Sequence, residues 1–342
     1  MWSGERIYRL WHAETMRAIT VSQPGGPEVL RLDEVDTPGL AADEVLIKVA
    51  AAGVNRADLM QREGHYSPPP GASEILGLEV SGQIAATGAE VDDWSVGDRC
   101  VALLAGGGYA EYVAAPAGQV LEPPPGMDLR TAGGVVEVAA TVYSNLERAQ
   151  LGDGEVFLVH GGAGGIGSFA IQYAKACGAT VITTASSQDK IDYCRSLGAD
   201  HAISYRAEWP ALITDITAGK GVDVILDNMG AKYLDDHVRL LARDGRLMVI
   251  GLQGGRRATL DLAVLHSKSG SITAASLRSR PTKQKAAICH GLVERVWTLF
   301  GTGSIQPPRV TSYPLAEAAA AHSRLESGEN LGKIILIVDP AL

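Results

Sequence analysis

The chain has 342 residues, 46% of them hydrophobic and 20% charged, with a formal net charge of −9. This is ordinary globular composition in a chain long for one core, so two domains are expected. The acidic balance and the lack of a dense Lys/Arg block exclude a broad nucleic-acid surface, and no apolar run reaches the roughly eighteen residues of a membrane span.

Residues 1–15 contain no continuous apolar h-region, so they read as a disordered extension rather than a signal peptide. A strand-like run, Arg17 to Val21, follows Met16. From Met16 to about Gly134 short strands alternate with turns: Glu44 to Ala50, Val80 to Ala85, Arg99 to Leu104 and Tyr109 to Val113. Turn punctuation at Pro24–Pro27 and Pro123–Gly126 separates them, which predicts a β-rich, barrel-like domain. Cys100, Cys177, Cys194 and Cys289 lie scattered without a C-x-x-C pair, as expected of reduced thiols in a cytoplasmic protein.

From about Val135 the rhythm changes to alternating strands and helices. Strands are predicted at Val156–His160, Thr180–Thr184, His201–Ser204, Val222–Asp227, Gly245–Ile250 and Ser271–Ala274. Helices are predicted between them, for instance at Gln188–Leu197 and Tyr233–Leu241. Such a series makes an α/β fold with a doubly wound parallel sheet. A last helix, Leu315–Glu326, precedes an apolar strand, Lys333–Val338, that returns to the first domain. The expected division is 16–137 for the β-rich domain, 138–276 for the parallel-sheet domain, and 277–342 for the return.

Between the first parallel strand and its helix lies Gly162, Ala163, Gly164, Gly165, Ile166 and Gly167, a G-x-G-x-x-G turn. Strand, glycine turn and helix together place a pyrophosphate on helix N-terminal amides. With 40 glycines in the chain, the motif means little without that context. NAD-selective folds place an acidic residue about 20 residues further on, at the end of the second strand. Here Ala185, Ser186 and Ser187 stand there, with Lys190 a turn away. Hydroxyls and an ammonium suit a 2′-phosphate, so NADPH is the expected cofactor. Asp189 reads as a first-turn acid favoured by the helix dipole.

The β-rich first domain, the glycine motif, the closing run Asn330–Leu336 and, most specifically, Asn55 to Gly71 resemble the zinc-independent medium-chain dehydrogenase/reductases. Within these, the chain is similar to the quinone oxidoreductases that include zeta-crystallin, and especially to their stress-inducible NADPH quinone reductase branch. The similarity runs from Met16 to Val338. It implies a Rossmann domain beside a partly open, GroES-like catalytic barrel, NADPH-dependent reduction of a quinone or enone, and a homodimer. Edge pairing of Ser271–Ala274 is the expected dimer contact. Zinc alcohol dehydrogenases carry a Gly-His-Glu ligand motif where this chain has Gly77, Leu78 and Glu79, and a cysteine ligand where it has Asn55. Metal-free catalysis is therefore expected.

The resemblance implies Asn55 and Tyr66 at the catalytic site. Asn55 would donate its amide hydrogens to cofactor or substrate, or serve only as a cap. Tyr66 would stack on or hydrogen-bond to the acceptor, or only pack on Pro68–Pro70. Implied cofactor contacts are Thr141 near the nicotinamide, Gly164 to Gly167 at the phosphates, and Ser187, Lys190 and Tyr205 around the adenosine phosphate. Asn228, Gly251, Leu277, Asn330 and Lys333 are further carry-overs that loop and strand-end roles would equally explain. One departure is Gly164, where the related mammalian enzymes carry serine. Two alternatives stand beside quinone reduction: reduction of an enone or enoyl thioester, with Tyr66 as general acid, and an NADPH-binding protein without a catalytic role.

Overall fold

The computed structural model describes residues 14–342. The expected extension over residues 1–15 thus falls, for residues 1–13, outside the described residues; Thr15 already opens the first strand.

The N-terminal strands are β1 (Thr15–Val21), β2 (Leu30–Asp36), β3 (Glu44–Val54), β4 (Glu79–Thr87), β5 (Arg99–Leu103), β6 (Tyr112–Pro116) and β7 (Val120–Leu121). Then come β8 (Val156–His160), β9 (Thr180–Ala185), β10 (His201–Ser204), β11 (Val222–Asp227), β12 (Leu241–Val249) and β13 (Ser271–Ala274), and finally β14 (Val310–Pro314) and β15 (Lys333–Ile337). β8 to β13 form a six-stranded sheet in the order β10-β9-β8-β11-β12-β13, parallel throughout. The order reverses direction beside β8, and in open α/β sheets ligands bind at such a switch point, at the carboxyl ends of the strands. β15 instead pairs antiparallel with β3 in a second sheet, ordered β14-β15-β3-β4-β5-β7. The chain thus leaves the antiparallel sheet, builds the parallel one and returns, which brings residues near 333 beside residues near 54.

The parallel strands are apolar on both faces because helices cover both. Phe157 and Val159 of β8 enter a core shared with Val138, Val142 and Phe169. Leu158 between them enters another core with Ile182, Ile225 and Trp209. Neighbouring residues of a strand point to opposite faces, so one apolar run supplies both cores. The antiparallel sheet has its own core around Val45, Ile47, Val80 and Ile84.

Several predicted boundaries move, most by one or two residues and some by more. The β6 strand is Tyr112–Pro116 rather than Tyr109–Val113, because the Tyr109 side chain is fully buried and Ala110 makes only an isolated bridge to Ala18. β12 starts at Leu241, ahead of a register irregularity where Asp244 has φ 60°. The helix after the glycine turn begins at Gly165, inside the motif itself. Leu315–Glu317 is a 3-10 turn leading into the helix Ala318–Glu326.

Directly beneath the glycine turn, His160 at the end of β8 shares a 2.8 Å contact between ring nitrogens with His237 and lies 2.9 Å from the Thr184 hydroxyl. Trp209 and Tyr233 enclose the pair. Burial, and secondarily His237, hold the His160 pKa well below 6.5. His160 therefore stays neutral when folded but gains a proton on unfolding below pH 6.5, so its contribution is intact above that pH and is lost as pH falls. The stability gap between wild type and His160→Gln should narrow by about 1 kcal/mol between pH 6.5 and 5.5. Urea denaturation at both pH values measures it; a gap that does not change refutes this account of His160.

Candidate active site

The glycine turn joins β8 to the helix Gly165–Ala176. Gly161 has φ 68°, a left-handed conformation suited to glycine. A Cβ on Gly162 would lie 2.2 Å from the Thr183 hydroxyl, and one on Gly167 only 2.4 Å from the Gly161 carbonyl oxygen. These two close approaches require glycine; Gly164 does not. Its nearest neighbour would be 3.5 Å away, and it occupies the N-cap of the helix with no side chain capping it. The result is a shallow cradle of backbone N–H groups at the positive end of a helix, which fits a pyrophosphate.

The returning segment lies against this turn. Gly332 forms a parallel bridge with Gly164, and its N–H donates to the Ala163 carbonyl at 2.8 Å. The Asn330 amide donates to the Gly332 carbonyl at 3.1 Å. Lys333 then crosses Gly165, where a Cβ would meet its Cδ at 2.6 Å. Its ammonium ends in the other sheet, 2.6 Å from Asn55 Oδ1, 2.7 Å from Glu79 Oε1 and 3.4 Å from the Val54 carbonyl. Lys333 is 3% exposed and Glu79 is fully buried.

Asn55 does precede a helix, Arg56–Arg62, as its N-cap, but its side chain also turns into this cluster. Oδ1 accepts from Lys333, and Nδ2 donates one hydrogen to Glu79 at 3.0 Å. One N–H of the amide is left over. The second Glu79 oxygen accepts the Glu137 backbone N–H at 3.0 Å. Burial, reinforced by Glu79, pushes the Glu137 carboxyl up to about 7, and Thr141 donates to it at 3.3 Å. Below Asn55, the carboxylate of buried Asp58 accepts from the Asn55 and Gly77 N–H groups and the Tyr109 hydroxyl. Burial outweighs these bonds and raises its pKa to about 6.

Tyr66 approaches from the loop after the Arg56–Arg62 helix. Its hydroxyl is 3.4 Å from the Ser276 hydroxyl, and the Arg278 guanidinium lies 5.2 Å from its ring centroid. Asn228 and Gly251 sit side by side at the ends of β11 and β12, where a Gly251 Cβ would touch the Asn228 carbonyl at 2.8 Å. Among the described residues the Asn228 side-chain oxygen is buried without a partner, an acceptor suited to a ligand donor. Leu277 packs on the core shared by helix Val136–Ala149 and β8.

At the adenosine end, Ser187 is exposed at the N-cap of the helix Gln188–Ser196, with no side-chain capping bond. The Tyr205 N–H donates to the Ala185 carbonyl at 3.1 Å, which sets exposed Tyr205 beside the end of β9. Lys190 donates to the Gly328 carbonyl. Glu79, Glu137, Arg278 and Arg206 were not singled out by sequence reasoning. Arg206 lies 5.9 Å from the Tyr205 ring centroid; its place beside Tyr205 was the one available signal. A glutamate as the one charged residue of β4, at its start, was the signal for Glu79.

This donor set does not fit zinc. The ligand positions hold an amide, a leucine and a carboxylate already paired to an ammonium, and among the described residues no three His, Cys, Asp or Glu are grouped to hold a metal. The description "alcohol dehydrogenase GroES-like domain" matches residues 41–125, and "zinc-binding dehydrogenase" matches residues 165–289. Quinone oxidoreductase of Lama guanicoe is 33% identical over 329 residues, covering 94% of this chain and 98% of the relative. The chain belongs to the medium-chain dehydrogenase/reductase superfamily. This oxidoreductase also resembles, at TM-score 0.81 and 30% identity, the Escherichia coli quinone oxidoreductase solved with NADPH, over 95% of this chain and 100% of that one. It resembles the CurK enoyl reductase at TM-score 0.84 and 25% identity, again over 95% and 100%.

The contrast between glycines is testable. In the reductase, Gly167→Ala should weaken dinucleotide binding at least about tenfold because backbone must move. Gly164→Ser should keep affinity within about threefold and add a few tenths of a kcal/mol of helix capping. Fluorescence titration and thermal melts check both; equal losses would refute the assignment of strain to Gly167.

Proposed function

We propose that the protein is an NADPH-dependent, zinc-independent reductase of quinones and similar conjugated carbonyls, working as a cytoplasmic homodimer. The observation that carries this reading is the buried Lys333 ammonium held between Asn55 and Glu79, next to a dinucleotide cradle. It supplies an internal cation where zinc relatives use metal ligands. Without a Lewis acid, a simple alcohol or ketone is a poor partner, whereas conjugation in a quinone already spreads the incoming charge. When bound, NADPH supplies a hydride, and one proton from water completes reduction of a quinone to its hydroquinone.

In this reading the protein positions and stabilises. Lys333 and Glu79 fix both ends of the Asn55 amide, and the remaining Nδ2–H is offered to cofactor or acceptor oxygen. Thr141 lines the nicotinamide side, held by Glu137. Tyr66 presents a ring and hydroxyl to the acceptor, with Arg278 over the ring adding positive potential. Gly162 to Gly167 cradle the pyrophosphate. Asn228, Gly251, Leu277 and Asn330 line or brace the cleft. Ser187, Lys190 and Tyr205 take the 2′-phosphate, with Arg206 beside them. Lys190 exchanges the neutral Gly328 carbonyl for a charged oxygen, the stronger partner. The outer position of β13 in its sheet supports edge pairing between two copies. The four free cysteines support a reducing compartment.

The likeness to the CurK enoyl reductase favours enoyl-thioester reduction as a second reading. NADPH oxidation across quinones, enones and enoyl thioesters separates them. The expected result is quinone turnover with kcat/KM at least about tenfold above that for enoyl thioesters; the reverse order overturns the proposal. Tyr66→Ala should lower quinone kcat about tenfold or more without changing NADPH affinity. Lys190→Ala should weaken NADPH about tenfold and leave NADH unchanged.

A further inference from the structure

Beyond Tyr66 lies a groove of about 630 Å³ that the chemistry above does not use. One wall is the segment after β13, which carries Arg278, Arg280, Lys283 and Lys285 within eight residues. Three of these cations, Arg278, Arg280 and Lys285, line the groove.

Two of the three are largely buried and form no ion pair among the described residues, although Asp58 and Glu74 lie near enough to Arg278 to favour its charged form. Arg278 is 5% exposed and donates only to neutral acceptors: the Ala105 carbonyl at 2.7 Å, Gln61 Oε1 at 2.7 Å and the Tyr66 carbonyl at 3.4 Å. Lys285 is 6% exposed, and among the described residues no hydrogen bond or ion pair holds its ammonium. Burial lowers the pKa of both. A buried cation is costly unless something pairs with it, and packing alone would be served as well by methionine at position 285. Nearby, Gln119 is 2% exposed and lines the groove; among the described residues its side-chain oxygen has no partner, an acceptor suited to a donor elsewhere on a ligand rather than to an anionic group. The helix Thr282–Gly291 opens on the same groove at Pro281 and Thr282, and no side chain caps it. Its first amides and its dipole favour an anion there. The carboxylates in the lining, Asp36 and Glu44, come from β2 and the start of β3; Glu44 accepts the Ala41 N–H at 3.1 Å.

We infer that this groove is an anion-binding subsite for the acceptor, receiving a phosphate, carboxylate or sulfonate substituent between Arg280, Lys285 and the start of the Thr282–Gly291 helix. Arg278 connects it to the reaction site, because the same guanidinium lies over the Tyr66 ring and lines the groove. An acceptor ring at Tyr66 then carries its acidic substituent past Arg278. This rests on the proposed reductase reading and narrows it to acidic conjugated carbonyls.

The test uses calorimetry on the full chain saturated with NADP⁺, which keeps anions out of the cofactor phosphate site. The probes are naphthalene-2-sulfonate and neutral naphthalene-2-methanol. The expected result is sulfonate binding at least tenfold tighter than the alcohol, with that preference lost in Lys285→Gln and in Arg280→Gln. The second variant changes a half-buried residue at the rim and guards against misfolding of the first. No sulfonate preference, or a preference untouched by both substitutions in folded protein, overturns the subsite. In parallel, the KM for a sulfonated naphthoquinone should rise about tenfold in the variants while that for an unsubstituted quinone stays constant; equal changes for both would also overturn it. Loss of all quinone turnover with a retained, Lys285-dependent sulfonate preference would instead sink the quinone reading and leave the subsite standing.

Discussion

The geometry of the active cleft depends on one buried ion pair, Lys333 with Glu79, with Asn55 between them. The lysine comes from the returning strand, the glutamate from β4 and the asparagine from the end of β3. The lysine stem also lies over Gly165, so the cluster ties the phosphate turn to the catalytic sheet. Removing one member of such a pair leaves an uncompensated buried charge, at a cost of about 3–5 kcal/mol. The arrangement is therefore strongly specified even though the pair itself is weak evidence for stability.

The same constraint explains the chemistry. A fixed ammonium saturated by protein oxygens is not itself a donor to substrate. It holds the Asn55 side-chain oxygen, and in the proposed reductase that fixes the direction of the remaining Asn55 N–H. Glu137, raised to about 7 by burial and Glu79, records how densely charge is packed there. The buried chain from Asp58 through Tyr109, His322 and Arg62 to Glu326 braces the floor of the cleft. Around this centre, Tyr66 and Arg278 come from separate segments that meet with the guanidinium 5.2 Å from the ring centroid.

Much of this was legible in the sequence, for identifiable reasons. Short β-branched runs bounded by glycine and polar turns gave β8, β10, β11 and β13 with their observed limits. Boundaries slipped where tertiary contacts override local pattern: Tyr109 leaves the strand because its hydroxyl serves Asp58, and the helix enters the glycine turn because pyrophosphate-type cradles begin on glycine. The G-x-G-x-x-G spacing located the phosphate turn, but not which glycines are sterically required. The Lys333–Glu79 contact spans 254 residues, and Arg278 reaches Gln61 across 217. No periodicity encodes such pairings. Lys333 entered through resemblance, and Glu79 only as the neighbour of an absent metal ligand.

The central claim of the proposed function is that reduction runs without a metal, with the Lys333 ammonium fixing Asn55 where zinc relatives carry a ligand. The most direct measurement is NADPH:quinone turnover after exhaustive chelation, followed by titration with Zn²⁺ and determination of bound metal. The account predicts undiminished turnover and no stoichiometric zinc. Turnover that is lost on chelation and restored by one equivalent of zinc would contradict it.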